Sequence, residues 1–373
     1  MAEPLSPEAG ALRPVAGALP PEVGALRPEV GALRVVDFGL SSPLRSQTLW
    51  HAIGFGVSAG APTTLSFTRP AAPYVCLGYH GALDDVDQEY CRAHGLPVLR
   101  RMVGGGTVYL DADQVFFQIC LPAQAVPPVR WRALRMLLEP AVTAFRAVGV
   151  PAALDDDLEI CVGHRKVCGH GAGQIEEAVV VCGNLIQRFD HERAARVLAL
   201  PGPAQREQTL ALMRRFVAAT PVDPAAFQAA MVSAYAAALG LRAVPGQLNP
   251  VERRTVADLD DKFSSEAWLA GPARPLPAAG TDRPARRVKV RAGVWTLASE
   301  HDGAQVTASV VRGTVDRVRL RAGGSDWPAR QAELAEQAVT GIPWGSVADV
   351  LADFGEPGRR LAAAFAAAGP GAL

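Results

Sequence analysis

The chain has no surplus of either charge: Lys+Arg and Asp+Glu both number 37 in 373 residues. Nucleic-acid-binding proteins usually show a basic excess, so no nucleic-acid partner is expected. No apolar run approaches the roughly 18–20 residues that span a bilayer, and no membrane association is expected. The start lacks a basic stretch followed by an apolar core. No secretory signal is read there, and a cytoplasmic setting is expected. Cysteines number only six. In a large chain without a signal they read as reduced thiols, not as a disulfide framework. Two catalytic signatures are missing as well. No Lys-Ser/Thr follows a glycine run as in a P-loop, and no Gly-x-Ser-x-Gly elbow supports a serine triad.

Hydrophobic residues make up 49% of the chain and charged residues 20%, enough for a proper core and, at this length, for two domains. Residues 1–34 repeat "GAL" every seven positions, at Gly10, Gly17, Gly24 and Gly31. Prolines 14, 20, 21 and 28 oppose a coiled coil, because each removes a backbone donor and clashes inside a helix. A disordered repeat tail is expected. Helical periodicity covers 46–58 and 129–148, and 108–119 alternates like a strand. Residues 161–187 read as strand, glycine-rich turn, strand, with helices expected at 190–199, 204–218 and 224–239. These elements give an α+β main domain over 35–271. A proline-rich linker over 272–285 leads to a small α+β domain over 286–373. That domain is expected to hold strands at 286–300 and 305–321, helices at 329–340 and 344–354, and a frayed helix at its end.

Two stretches carry candidate chemistry. In Arg100-Arg101-Met102-Val103-Gly104-Gly105-Gly106, bare backbone amides could cup an anion beside fork-shaped guanidinium groups. A tight turn with two surface arginines explains the same residues. In Arg165-Lys166-Val167-Cys168-Gly169-His170-Gly171-Ala172-Gly173, a lysine ending a strand could hold a developing oxyanion, with glycines admitting a ligand to the backbone. A solvated lysine before a hairpin is the plainer account. Cys161, His164, Cys168 and His170 imitate zinc spacing, but they do not form two separated pairs, so the metal ligands stay unknown. Cys168 and Cys182 are candidate thiol nucleophiles; a small buried apolar role suits Cys182, within its apolar run, whereas Cys168 has Lys166 and His170 beside it, which could lower its pKa. Asp155, Asp156, Asp157 and Glu159 form an acidic stretch that could be a solvated loop or could help hold magnesium.

Taken together and in this order, the two glycine stretches resemble the lipoate–protein ligase family of the biotin/lipoate attachment superfamily. PYVCLGYHGALDDVDQEYCRAHGLPVLRR upstream, and VVVCGNLIQRFD and KFSSEAWLAG downstream, add to the likeness. The last hundred or so residues, with VRGTVDRVRLRAGG, resemble that family's small accessory domain. The resemblance implies a catalytic domain built on a mixed β-sheet flanked by helices, and activation of lipoate or octanoate by ATP and magnesium to an acyl-adenylate. The acyl group would then pass to a lysine of a lipoyl carrier domain, in a 2-oxoacid dehydrogenase complex or the glycine cleavage H protein. It further implies that Arg100, Arg101 and Gly104–Gly106 cradle the adenylate and that Lys166 binds the acyl carbonyl and bridging phosphate. Gly169, Gly171 and Ala172 would cover the intermediate. The chain departs from the family pattern where Leu110 replaces a histidine, Leu158-Glu159 an Asn-Asp pair, and Cys182-Gly183 a His-Gly pair. Biotin ligases resemble the same fold but carry a Gly-Arg-Gly-Arg-type loop. Two alternatives stay open: a cysteine-dependent octanoyl or lipoyl transferase, and a non-catalytic acyl-binding homologue.

Overall fold

A computed structural model of the protein describes residues 31–271, 285–322 and 327–368. Most of the repeat tail, most of the linker and the last five residues lie outside the described residues. The chain begins with β1 (Ala32–Ser41), α1 (Arg45–Ser58), β2 (Thr64–Pro70), β3 (Tyr74–Leu77), α2 (Gln88–Ala93) and β4 (Val98–Arg100). It continues through β5 (Val108–Leu110), β6 (Gln114–Pro122), α3 (Arg130–Ala147), β7 (Ala153–Leu154), β8 (Ile160–Val162), β9 (Arg165–Cys168), β10 (His170–Ile175) and β11 (Ala178–Ile186). Then follow α4 (His191–Arg196), α5 (Pro203–Phe216), α6 (Pro224–Leu239), β12 (Arg242–Pro245), α7 (Pro250–Ser264) and α8 (Glu266–Ala270). The last part holds β13 (Arg286–Arg291), β14 (Val294–His301), β15 (Ala304–Val311), β16 (Thr314–Arg321), α9 (Ala329–Val339), α10 (Val347–Ala352) and α11 (Gly355–Ala368).

The main sheet has the order β10-β11-β6-β2-β1-β12; β1 pairs in parallel with β2 and β12, and the other neighbours are antiparallel. Alternation along β6 shows why it is central. Val115, Phe117, Ile119 and Leu121 enter the core that also takes Phe145 of α3 and Phe227 of α6. Phe116, Gln118 and Cys120 take the opposite parity, and on this second face Cys120 packs with Trp50 and Ile53 of α1. α7 backs α1 through Leu49, Ala52, Val256 and Phe263. The expected mixed sheet flanked by helices is therefore present. Two small sheets carry the arginine and lysine motifs: β4-β3-β5 packs Tyr74, Cys76, Leu99 and Leu110 on Phe116 of the second face, and β7-β8-β9 sends Ile160, Val167 and Cys168 into the core with Phe145.

Several local readings differ from the structure. Residues 108–119 are not one strand: Asp111–Asp113 turn the chain between β5 and β6, which lie in different sheets. The globular part begins before residue 35, because Ala32–Arg34 already pair with Arg242–Val244. The expected glycine-rich turn at 169–173 is mostly strand: His170–Ile175 pairs along β11, and the turn falls at Glu176-Glu177. The small domain's two expected strands are a four-stranded antiparallel meander, β13-β14-β15-β16. Each break in it lies at a turn that uses positive φ: Gly293, Asp302-Gly303 and Arg312-Gly313. The expected frayed end is a helix through Ala368, whose Leu361, Ala364 and Phe365 fill the small core.

α5 joins the two cores. Thr209 and Thr296 share a 2.7 Å hydrogen bond, and Leu212 and Phe216 pack on Val294. This docking brings the β13–β14 turn to the lysine strand.

Candidate active site

A cavity of about 230 Å³ opens on the second face of the main sheet, and nearly every motif above converges on it. Its wall includes Arg101, Gly105, Gly106, Lys166, Gly169, His170, Gly171 and Cys182. Gln47 and Trp50 of α1, and Phe116 and Gln118 of β6, add a second wall, and Lys289, Val290 and Arg291 arrive from the small domain.

The two adjacent arginines part company. Arg100 is fully buried and outside the cavity. Its guanidinium donates to the carbonyls of Gly78 (3.1 Å), Tyr79 (2.8 Å), Gly81 (2.7 Å) and Leu269 (2.8 Å). These bonds tie the loop after β3 to the end of α8, so Arg100 corrects its expected place at the adenylate: its donors already serve backbone oxygens. Alternation explains the split: Arg101 directly follows the last residue of β4, and successive side chains along an extended chain face opposite ways. Arg101 lines the cavity and latches the glycine loop, donating to Gly104 O (2.9 Å), Gly106 O (3.0 Å) and Cys76 O (3.2 Å). The bare backbone has a steric reason at Gly105. Its φ is +104°, and a side chain there would strike the Arg101 guanidinium. Gly104 contributes its carbonyl to this latch but does not line the cavity.

Lys166 sits on β9, whose backbone is held by Ala218 N donating to Lys166 O (2.8 Å). Its ammonium lies 2.9 Å from Glu159 Oε2. Burial would raise the Glu159 pKa, but the Lys166 charge and hydrogen bond outweigh it and hold the carboxyl below its ordinary 4.5. Glu159 Oε1 accepts from Ala292 N (3.1 Å) in the β13–β14 turn. Arg291 beside it donates to His164 O (2.8 Å) and pairs with Asp155. The small domain thus closes onto the lysine through backbone and ionic contacts.

The glycine strand is positioned by Asn184, which accepts from Gly169 N (2.6 Å) and donates to Gln114 Oε1 (2.7 Å). Gly171 lines the cavity, whereas Ala172 packs against the core on the other face, which corrects its expected place over the intermediate. His170 bonds Leu158 O at 2.9 Å through Nε2. A carbonyl can only accept, so Nε2 carries the proton. Burial first, and the Lys166 charge next, pull His170 down to about 4. His51, stacked on Trp50, bonds Gln47 O and accepts from Met102 N (3.0 Å), steadying the arginine loop; burial lowers it to about 3.

These shifts predict an acid sensitivity. Both histidines have depressed folded-state pKa values, so the stability they leave intact above about pH 6.5 falls as acid protonates the unfolded chain preferentially. Glu159 acts in the same direction from below its ordinary value. The unfolding midpoint in denaturant should drop steadily from pH 6.5 towards 4, and His170→Gln should flatten part of that slope. An unchanged slope in the variant would remove His170 from this account.

The thiols are all free. Cys168 is fully buried and does not line the cavity, and burial pushes it up to about 12. Cys182 does line it; burial raises its pKa although Arg101 opposes. Among the described residues, no three His, Cys, Asp or Glu side chains gather to hold a metal ion. Among the described residues Glu159 is the one carboxylate on the cavity wall, and Lys166 and Ala292 already engage it.

No local motif marks Gln47, Trp50, Phe116, Gln118, Lys289 or Arg291 as cavity residues. The parity of β6 could have suggested Phe116 and Gln118. The small-domain residues reach the site only through the α5 packing.

Residues 51–236 match the family model described as "Lipoyl protein ligase A/B catalytic domain". The chain is similar to octanoyltransferase LipM of Symbiobacterium thermophilum, 26% identical over 63% of this chain and 97% of that protein. It is also similar to lipoate–protein ligase 1 of Staphylococcus aureus, 25% identical over 39% of this chain and 44% of that one. Among solved structures, a bipartite lipoate protein ligase of Thermoplasma acidophilum, solved in a study of it and its E2 lipoyl domain, superposes with a TM-score of 0.58. It is 22% identical and covers 66% of this chain and 99% of that one. A lipoate-protein ligase A bound with ATP gives 0.54 at 22% identity, covering 65% of this chain and 98% of that one. No helix among the described residues is long and apolar enough to cross a membrane.

Proposed function

Through residues 51–236 the chain belongs to the lipoyl protein ligase A/B catalytic-domain family, and from that premise we propose that it is an ATP-dependent acyl–protein ligase. A medium-chain acid of the lipoate or octanoate class enters the cavity. Its carboxylate attacks the α-phosphorus of ATP, releasing pyrophosphate and forming an acyl-adenylate. The ε-amine of a carrier-domain lysine then attacks the acyl carbon, AMP leaves, and an amide and one proton result. The acceptor is a lipoyl domain of a 2-oxoacid dehydrogenase complex or the glycine cleavage H protein.

The observation that carries this reading is Lys166, an ammonium on the cavity wall beside the glycine strand. In the reading it holds the acyl carbonyl and bridging phosphate oxygens, where charge builds in both steps. Arg101 and Gly105–Gly106 shape the loop over the phosphate, while Lys289 and Arg291 add positive charge from the small domain. Closure of this wall keeps water from the mixed anhydride. Magnesium finds no fitting set among the described residues: Glu159, the one cavity carboxylate there, is engaged by Lys166 and Ala292.

The octanoyltransferase relatives favour a second reading, transfer through a cysteine thioester. Such a step needs a thiolate. Burial shifts both Cys168, which lies off the cavity wall, and Cys182 towards the neutral thiol. Cys168→Ala and Cys182→Ser should therefore keep ATP-dependent modification of an apo lipoyl domain within about threefold. The assay follows carrier mass and pyrophosphate release with lipoate or octanoate. ATP-independent transfer from an octanoyl carrier, abolished by either substitution, would establish the thioester route instead. No modification from any donor would leave an acyl-binding protein.

A further inference from the structure

Gln47 and Gln118 stand among apolar cavity residues, Trp50, Cys76, Leu110, Phe116 and Cys182. Both amides are almost wholly buried, at 4% and 1% exposure. A saturated tail offers neither of them a hydrogen bond. Gln47 Oε1 is buried with no partner among the described residues, an arrangement that folded proteins seldom retain without a reason.

The orientation of that amide follows from its neighbours. Ser46 Oγ donates to Pro43 O at 2.7 Å, so in its 2.8 Å bond with Tyr74 it accepts the phenol proton. The Tyr74 oxygen is then left to accept from Gln47 Nε2 at 2.6 Å. This relay, polarised in one direction, engages the NH₂ of Gln47 and leaves its carbonyl oxygen. Gln118 is the complement: its Oε1 accepts from Ser66 Oγ at 2.8 Å, leaving its NH₂ as the available end. An acceptor and a donor are thus fixed in one apolar wall.

We infer that the acid taken by this cavity carries a hydroxyl group towards the far end of its chain, donating to Gln47 Oε1 and accepting from Gln118. Within the medium-chain class, the preferred substrate is a hydroxylated carboxylic acid. The inference rests on the acyl-binding reading of the cavity given above. A hydroxyl is the smallest group that both donates and accepts, and it satisfies the orphaned oxygen without a charge in the buried wall.

Calorimetric titration of the full chain with octanoate and with 6-, 7- and 8-hydroxyoctanoate tests it, without ATP. One hydroxy acid should bind at least about tenfold more tightly than octanoate, which corresponds to about 1.4 kcal/mol. In Gln47→Leu that ranking should vanish or invert while octanoate still binds. Tyr74→Phe, which releases the amide to rotate, should reduce the preference and leave octanoate affinity within about threefold. Octanoate binding in each variant reports that its fold is intact. Equal or tighter binding of octanoate by the native chain overturns the inference, as does a preference that survives Gln47→Leu. ATP is then added and pyrophosphate measured. A kept preference with no pyrophosphate supports the inference and refutes the ligase. Pyrophosphate released equally from octanoate and every hydroxy acid, with equal binding, does the reverse. Binding of none of the acids overturns both.

Discussion

Lys166→Ala should lower pyrophosphate release with acid and ATP by at least about 10²–10³-fold, the usual loss when a preorganised charge on a developing oxyanion is removed. Lys166 is the cavity cation on β9, and its ammonium stands 2.9 Å from Glu159. Removing it also leaves Glu159 buried without its countercharge. Burial, the largest influence on that carboxyl, then meets only the lesser opposition of His170 and the Ala292 N–H, so its pKa should rise and the variant should lose stability as well. The two effects separate in Lys166→Ala/Glu159→Gln, which removes the buried charge altogether. The double variant should recover the unfolding midpoint yet remain as inactive as the single one. Wild-type pyrophosphate release in the single variant would refute the role given to Lys166. Recovery of activity in the double variant would show that the loss came from the stranded carboxylate alone.

The sheet and most helices could be read from local pattern because local chemistry sets them. α6 shows this plainly: Asp223 caps it, Pro224 opens it and Gly240, at φ +64°, closes it. The site was half visible. Lys166, Arg101 and the glycines lie in two short motifs whose composition is unusual by itself. Arg100 shows the limit of that reading. The same residue type one position away has its side chain on the opposite side of β4, and only the tertiary fold shows that backbone carbonyls from residues 78–81 and 268–270 surround it. Arg291 and Ala292 were invisible for a related reason. Nothing local distinguishes them, and their approach to Asp155 and Glu159 depends on how α5 seats the small sheet. Leu110, standing where the resemblance expects a histidine, lies on the cavity wall beside Phe116, so an apolar contact occupies that place.

Glu252→Ala should destabilise the protein by about 3–5 kcal/mol, the cost of stranding one member of a buried ion pair. Glu252 is fully buried, and Arg34, its partner from the first strand, is 8% exposed. Two contacts join them: Arg34 Nη1 donates to Oε2 at 2.9 Å, and Nη2 pairs with Oε1. The carboxylate also accepts from Asn249 N at 2.8 Å, completing the cap that starts α7. Arg34 bonds Thr64 Oγ1 at 2.9 Å, so the pair ties β1, β2 and α7 together. Space is kept for it by glycine: a side chain at Gly56 would collide with Glu252, and one at Gly246 with Arg34. The loss should reach the site, because α7 carries Phe263, which meets His51 edge-on at 4.9 Å and stacks on Trp268 at 5.3 Å. His51 in turn holds Met102 beside Arg101. Equilibrium denaturation of the full chain measures the effect. Glu252→Gln should fall between wild type and alanine, since it keeps hydrogen bonds but leaves the Arg34 charge unpaired. Arg34→Met/Glu252→Leu should recover most of the loss, because a matched apolar pair carries no desolvation cost. A change below about 1 kcal/mol in Glu252→Ala would mean that water reaches Arg34 readily and that the pair does not hold α7 in place.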